Sequence, residues 1–123
     1  MPASSSSAPW PTDIKLKKSE RALEVTFDDG AAFHLSAEYL RVESPSAEVQ
    51  GHGSGQKTTL GGKRNVAIEA LEPVGNYAVR LIFSDGHDTG LYTWETLYRL
   101  GRDQEKIWTD YLYALEQKGL NRD

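Results

Sequence analysis

The chain has no cysteine. Disulfides, thiolate metal sites and cysteine nucleophiles are therefore excluded. The absence also fits a reducing compartment, so the chain reads as cytoplasmic. No apolar run approaches the ~20 residues that span a bilayer as a helix. The opening MPASSSSAPWP lacks the basic-then-apolar order of a secretory signal. Positive charge is in the minority, with 14 Lys and Arg against 18 Asp and Glu and a formal net charge of −4. General affinity for nucleic acid needs clustered positive charge, so neither nucleic acid nor membrane is an expected partner. Lys15, Lys17 and Lys18 cluster locally, as do Lys57, Lys63 and Arg64, and both groups read as solvated faces. What is present is ordinary for a globular domain: 123 residues, 38% hydrophobic and 26% charged. Such a chain buries roughly two-thirds of its unfolded surface and folds without a disulfide or metal.

Residues 1–11 are rich in Ser, Ala and Pro and read as a disordered tail, with Trp10 packing onto the domain edge. Residues 12–118 read as one domain and 119–123 as a frayed end. Ile14 and Leu16 alternate with Asp13, Lys15 and Lys17. Leu23, Val25 and Phe27 repeat that pattern, which is the period of a half-buried strand. Asp28-Asp29-Gly30 supplies a tight turn, and Phe33 and Leu35 resume beyond it. Residues 13–36 therefore predict three antiparallel strands. Ser36 is a candidate N-cap for a short helix over 37–41. From Glu43 to Gly62 the pattern stops, and loops this long often carry function.

Val66, Ile68 and Ala70 alternate again, and Pro73, Gly75 and Asn76 read as a turn. Tyr77 to Phe83 is apolar on both faces, as a central strand is, and Leu91-Tyr92 reads as its return. Thr93 caps a helix that Gly101 is expected to end. A last helix over 102–118 carries Ile107, Tyr111, Leu112, Ala114 and Leu115 on one face. The sum is an α+β domain. It has a mainly antiparallel sheet of five to six short strands, a short helix in the middle, and two C-terminal helices packed on the sheet.

Residues 51–58, Gly-His-Gly-Ser-Gly-Gln-Lys-Thr, look at first like a phosphate-cradling loop. Gln56 stands where that loop needs glycine, and no strand precedes or helix follows it. The remaining readings are a flexible loop or a bare backbone surface that a partner or small anion approaches closely. His34 is out of phase with Phe33 and Leu35 and reads as a surface histidine. His52 lies in the glycine-rich loop and His87 in the turn Asp85-Gly86-His87-Asp88. Asp85, His87 and Asp88 offer a divalent ion three ligands, although the acid follows His87 directly rather than one residue on. The competing reading is a turn held by local Asp hydrogen bonds. Ser44, Ser46 and Ser54 sit in no strand–turn–helix elbow, so no nucleophile and base are nominated. Trp108 and Tyr113 fall off the main helical stripe and are the aromatic candidates for a partner surface.

Three runs are more specific. Residues 40–53 (LRVESPSAEVQGHG), 71–80 (LEPVGNYAVR) and 83–98 (FSDGHDTGLYTWETLY) together resemble the gamma-butyrobetaine hydroxylase-like N-terminal domain family, a family of domains of unknown function. The resemblance covers roughly 12–118 and implies a small α+β fold. In eukaryotic carnitine-pathway hydroxylases the domain precedes a catalytic domain that uses iron and 2-oxoglutarate. There it holds a structural zinc through three cysteines and one histidine. It also occurs appended to ATPases of the iron–sulfur cluster carrier type. The resemblance places the zinc histidine at His87, and the cysteines in the stretch where this chain has Glu43, Ser44, Ser46 and His52.

The sequence thus reads as a non-catalytic binding or accessory domain, with an iron–sulfur assembly ATPase or an oxygenase as its expected protein partner. The expected surface comprises Ser44, Gln50, Gly51, His52, Gly53, Lys57, Arg64, Asp88 and Tyr92. The alternative is a weak metal- or small-ligand-binding module built on His52 and His87 with help from Asp85 or Glu43, zinc or iron being the candidate ions. An enzyme with His87 as acid or base is the third reading, and it needs a pocket with a tuned pKa.

Overall fold

The computed structural model describes residues 9–51 and 57–123. The alternation in the first third of the chain becomes a three-stranded antiparallel meander of β1 (Pro11–Lys17), β2 (Ala22–Phe27) and β3 (Ala32–Ser36). Its register sets Leu23 opposite Leu35 and Val25 opposite Phe33, so one face is apolar throughout. Leu23, Val25, Phe27 and Leu35 are fully buried. The β2–β3 turn closes with Gly30 at φ 91°, its amide donating to the Phe27 carbonyl at 3.0 Å.

A second antiparallel sheet follows, made of β4 (Ile68–Val74), β5 (Ala78–Phe83) and β6 (Leu91–Thr93) in that spatial order. β5 is central, and Ala78, Val79, Leu81 and Phe83 are buried. Pro73, expected in a turn, lies inside β4 opposite Val79. β4 is an edge strand, where a missing N–H is tolerated.

The single sheet expected from the sequence is thus two three-stranded sheets among the described residues. Alternation specifies a strand and its hairpin neighbour, but carries no signal for which hairpins join edge to edge. The sheets share one core instead of one ladder: Leu23, Val25, Phe27 and Leu35 meet Val79, Leu81 and Phe83.

Helix α1 (Ala37–Val42) leaves β3 directly, with the Ser36 hydroxyl accepting from the Tyr39 amide at 3.1 Å. A further short helix, α2 (Ala47–Gln50), sits where patternless loop was expected, capped by Ser46. α3 (Trp94–Arg102) is capped by Thr93 and packs on β3 and β6. α4 (Gln104–Gln117) follows almost at once. It reaches α1 through Trp108 against Tyr39, and through Tyr111 and Leu115 against Val42.

Gly101 does not end α3 but lies inside it. A Cβ there would stand 2.2 Å from the ring of Phe33, so the glycine lets β3 approach the helix.

The stretch 119–123, expected to fray, is tied down. The Gly62 amide donates to the Asn121 carbonyl at 2.9 Å and the Arg64 amide to the Arg122 carbonyl at 3.0 Å. Arg122 grips Glu38 with two hydrogen bonds, at 2.6 and 2.8 Å, and covers the Trp108 ring at 5.2 Å. At the other end Trp10 remains half exposed, its ring 6.5 Å from that of Trp94. Among the described residues no helix is long and apolar enough to cross a membrane.

Candidate functional site

Two turns meet at one corner of the domain. One joins α1 to α2 and carries Ser44 and Ser46. The other joins β5 to β6 and carries Asp85, His87 and Thr89. Ser44 Oγ lies 2.9 Å from His87 Nε2, and His87 Nδ1 lies 3.2 Å from Glu48 Oε1. Glu48 Oε1 also accepts from the Thr89 hydroxyl at 2.8 Å, and that hydroxyl is 2.8 Å from Ser46 Oγ. The Ser46 amide donates to Ser44 Oγ at 3.2 Å, and Gln50 Nε2 donates to the Ser44 carbonyl at 2.8 Å. Tyr92, fully buried behind the pair, donates its hydroxyl hydrogen to the Leu40 carbonyl.

Asp85 organises the second turn. Its Oδ1 accepts from the His87 amide at 3.1 Å. Its Oδ2 accepts from Arg41 Nε at 2.8 Å and from Lys63 Nζ at 2.6 Å. Burial alone would raise this carboxyl, but the hydrogen bonds from Lys63, the His87 amide and Arg41 outweigh it and hold it at about 2. His87 is pushed below the usual imidazole range by burial and then by the Arg41 charge, against the pull of Glu48, Asp85 and Asp88. Glu48 is lowered mainly by the Thr89 hydrogen bond. A cleft of about 360 Å³ opens beside the network, lined by Arg41, Glu48, Leu60, Asp85, His87 and Thr89. Arg41 is only 9% exposed, and its Nη1 is buried with no hydrogen-bond partner.

Ser44, His87 and Glu48 stand in the order of a nucleophile, its base and an orienting acid. The exposure decides against that chemistry. Ser44 is 0% exposed and His87 8%, so a substrate carbonyl cannot reach Oγ, and both ring nitrogens are engaged.

The zinc that the resemblance implies meets a different obstacle, the chemistry of the available ligands. A structural zinc site takes thiolates and imidazoles, and neutral serine hydroxyls are poor substitutes. Asp85 is neutralised by two cations, and Glu43 is paired with Lys57. The described residues here do not fit the group. His52 and Gly53 lie outside the described residues, so the pairing of His52 with His87 does too.

Of the expected surface, Ser44 and Tyr92 are interior positions that hold the site from behind. Gln50 and Gly51 end α2 beside Ser44. Asp88 adjoins His87 and faces Arg80 at 3.6 Å. Lys57 is engaged with Glu43, and Arg64 turns away to Asp123. Sequence reasoning missed Arg41, Glu48, Lys63 and Thr89, although Ser46 two positions before Glu48 is a capping signal. His34 is exposed on β3 as expected, and it stands with Glu24 on β2 and Glu20 in the β1–β2 connection. Their ligand atoms lie within 4.8 Å of one another.

Residues 14–98 match the family described as Gamma-butyrobetaine hydroxylase-like, N-terminal. Two solution NMR structures resemble the chain at 44% and 51% identity, with TM-scores of 0.82 and 0.81. Each covers 95% of this chain, and the match spans 92% and 87% of theirs. A crystal structure from Acidithiobacillus ferrooxidans, of a protein of unknown function in the DUF971 family, is 41% identical with a TM-score of 0.65. It covers 77% of this chain and 98% of its own. No curated protein matches the chain.

Proposed function

The chain belongs to the gamma-butyrobetaine hydroxylase-like N-terminal family, and from that membership we propose that it is a non-catalytic binding domain. In this reading it docks a protein partner at the cleft between the α1–α2 turn and the β5–β6 turn. The observation that carries the reading is the closure of the Ser44–His87–Glu48 row: its reactive atoms are used on one another and shielded from substrate. What the cleft leaves open is a rim of charge. Glu48 and Asp88 are well exposed there, and Arg41 keeps an unused donor beneath them. A polar rim around a partly apolar floor of Val49 and Leu60 suits a protein contact more than a reaction. The partner classes are those the family keeps company with, an iron–sulfur carrier ATPase or an oxygenase catalytic domain.

The test is calorimetric titration of this chain with each purified partner class. One of the two is expected to bind. Asp88→Arg, on the exposed rim, is expected to weaken binding about tenfold, equivalent to ~1.4 kcal/mol, without lowering the melting temperature. Binding to neither class, or binding indifferent to Asp88→Arg, refutes the proposal.

A further inference from the structure

The face of the first sheet that points away from the core carries a side-chain group that the partner cleft does not use. Alternation along β2 buries Leu23, Val25 and Phe27 and turns Glu24 to the opposite face. The register sets Glu24 directly across from His34 on β3, so the two side chains stand side by side. A single 3-10 turn, Lys18–Glu20, joins β1 to β2 and brings Glu20 to the same place. Arg21 ends that turn in the left-handed region at φ 50°. The Arg21 carbonyl accepts from the Ala37 amide at 2.7 Å, which ties the turn to the residue just after β3.

The imidazole meets the two carboxylates at two different distances, and the distances assign different roles. Glu24 Oε2 is 3.1 Å from Nδ1, which is hydrogen-bond length. Glu20 Oε1 is 3.7 Å from Nε2, too long for a hydrogen bond. Two ligands each about 2.1 Å from a tetrahedral ion stand about 3.4 Å apart, so this gap is close to the one an ion fills. A carboxylate that accepts from Nδ1–H fixes the tautomer and leaves the Nε2 lone pair free, which is how metal-bound histidines are commonly supported. That oriented imidazole separates the group from an ordinary patch of surface acid. One oxygen of each carboxylate lies within 4.8 Å of the other and of the ring. Carboxylates this close repel, and a divalent ion between them relieves the repulsion. Lys17 Nζ is 3.8 Å from Glu24 Oε1, the other oxygen of that carboxylate, and Arg21 turns away to Asn65 at 3.4 Å.

We propose that His34 Nε2 and Glu20 bind a divalent transition-metal ion, zinc by preference, with Glu24 orienting the imidazole and adding its charge. Imidazole with carboxylate suits zinc, whereas magnesium and calcium take oxygen ligands throughout. The side chains are about half exposed, so the remaining coordination positions face solvent. The site is therefore weak and exchangeable, and open to a ligand from another molecule. It stands on different elements from the partner cleft, so either proposal can fail without the other.

The experiment is a zinc titration of the full, chelator-stripped chain slightly above neutral pH, read on the imidazole nitrogens by long-range proton–nitrogen NMR. His34 Nε2 is expected to move to the frequency of a metal-bound nitrogen and to saturate below millimolar zinc, with Nδ1 staying protonated. His87, whose nitrogens are engaged by Ser44 and Glu48, is expected not to move. Magnesium at the same concentration is expected to leave His34 unmoved. Glu20→Gln is expected to weaken zinc binding tenfold or more. Glu24→Gln is expected to weaken it only severalfold, since glutamine still accepts from Nδ1–H. The amide spectrum of each variant reports that the fold is intact. No saturable His34 shift at millimolar zinc, binding through Nδ1 instead of Nε2, an equal response to magnesium, or indifference to Glu20→Gln overturns the proposal.

Discussion

Gly90→Ala is the sharpest probe of the Ser44–His87 contact, because the new methyl group would enter it from the side. A Cβ on Gly90 would stand 2.4 Å from Ser44 Oγ, 3.2 Å from Tyr92 Cε1 and 3.4 Å from Pro45 Cδ. Tyr92 is anchored through its hydroxyl to Leu40, so the serine hydroxyl is the group that must move. Its rotation breaks the bonds to His87 Nε2 and to the Ser46 amide. Each leaves a buried polar group unpaired, at about 1–3 kcal/mol. Alanine also restricts the unfolded chain, which returns only about 0.4–1 kcal/mol. The net expectation is a loss of about 2–3 kcal/mol, large beside a total stability of about 5–15 kcal/mol. Urea unfolding reads it as a lower midpoint at unchanged slope. Ser44→Ala removes the clashing atom and costs about 1–3 kcal/mol alone. In the double variant the methyl group added at position 90 occupies the vacated space, so the loss should fall short of the sum by about 1 kcal/mol or more. A Gly90→Ala variant within about 0.5 kcal/mol of the parent, or strictly additive losses, would refute this account of the contact.

Three further outcomes follow from the same geometry. Gly101→Ala gains helix propensity of about 1 kcal/mol, but forces the Phe33 ring out of its contacts with Phe27 and Tyr98. Overpacking of about 1–3 kcal/mol plus about 0.5–1.5 kcal/mol per lost aromatic pair wins, so the melting temperature should fall, and a rise would show that Phe33 moves freely. Stability should decline as pH drops through 6.5, because His87 is held below that value when folded and the unfolded chain takes up the proton first. A second decline should follow between 3.8 and about 2, as protonation removes Asp85 from Arg41 and Lys63; urea midpoints against pH for the parent and His87→Gln separate the two steps. Arg122→Ala leaves Glu38 buried without its partner and should cost about 2 kcal/mol, below the usual 3–5 because the arginine is partly exposed. Hydrogen exchange at the Gly62 and Arg64 amides should accelerate in that variant, and unchanged rates would mean the tail holds without the ion pair.

The elements legible in the sequence are those whose cause lies within a few residues. The Asp28–Gly30 turn closes on Phe27, Ser36 caps Tyr39, and Thr93 caps Thr96; each is a local bond with a local signal. Gly101 misled because one letter serves two purposes, ending a helix or admitting a neighbour, and the neighbour is Phe33 on another element. α2 was missed because four residues are too few for a period, leaving the Ser46 cap as its one mark. The division into two sheets and the tethering of 119–123 rest on contacts between distant positions, for which no spacing rule exists. The site divides the same way. His87 and Asp85 stood out from their turn, while Arg41, Glu48 and Lys63 join them from 22 to 44 positions away.

The resemblance supplied a location, and this chain has hydroxyls there in place of the thiolates that hold a metal. It pointed to the stretch around Ser44 and to His87 as metal ligands, and the structure does bring Ser44, Ser46 and His87 together. With hydroxyls where thiolates would be, the corner closes by hydrogen bonds among Ser44, His87, Glu48, Thr89 and Ser46. A metal-held corner loses its binding energy to a chelator, whereas a hydrogen-bonded one has none to lose. In a His34→Gln background, free of the surface zinc site, the urea midpoint should therefore be the same with and without excess EDTA, and adding zinc should not raise it. Ser44→Ala should lower it in both conditions equally. A midpoint that falls in EDTA and is restored by zinc would place a metal on these residues after all, and would require His87 to exchange Ser44 or Glu48 for the ion.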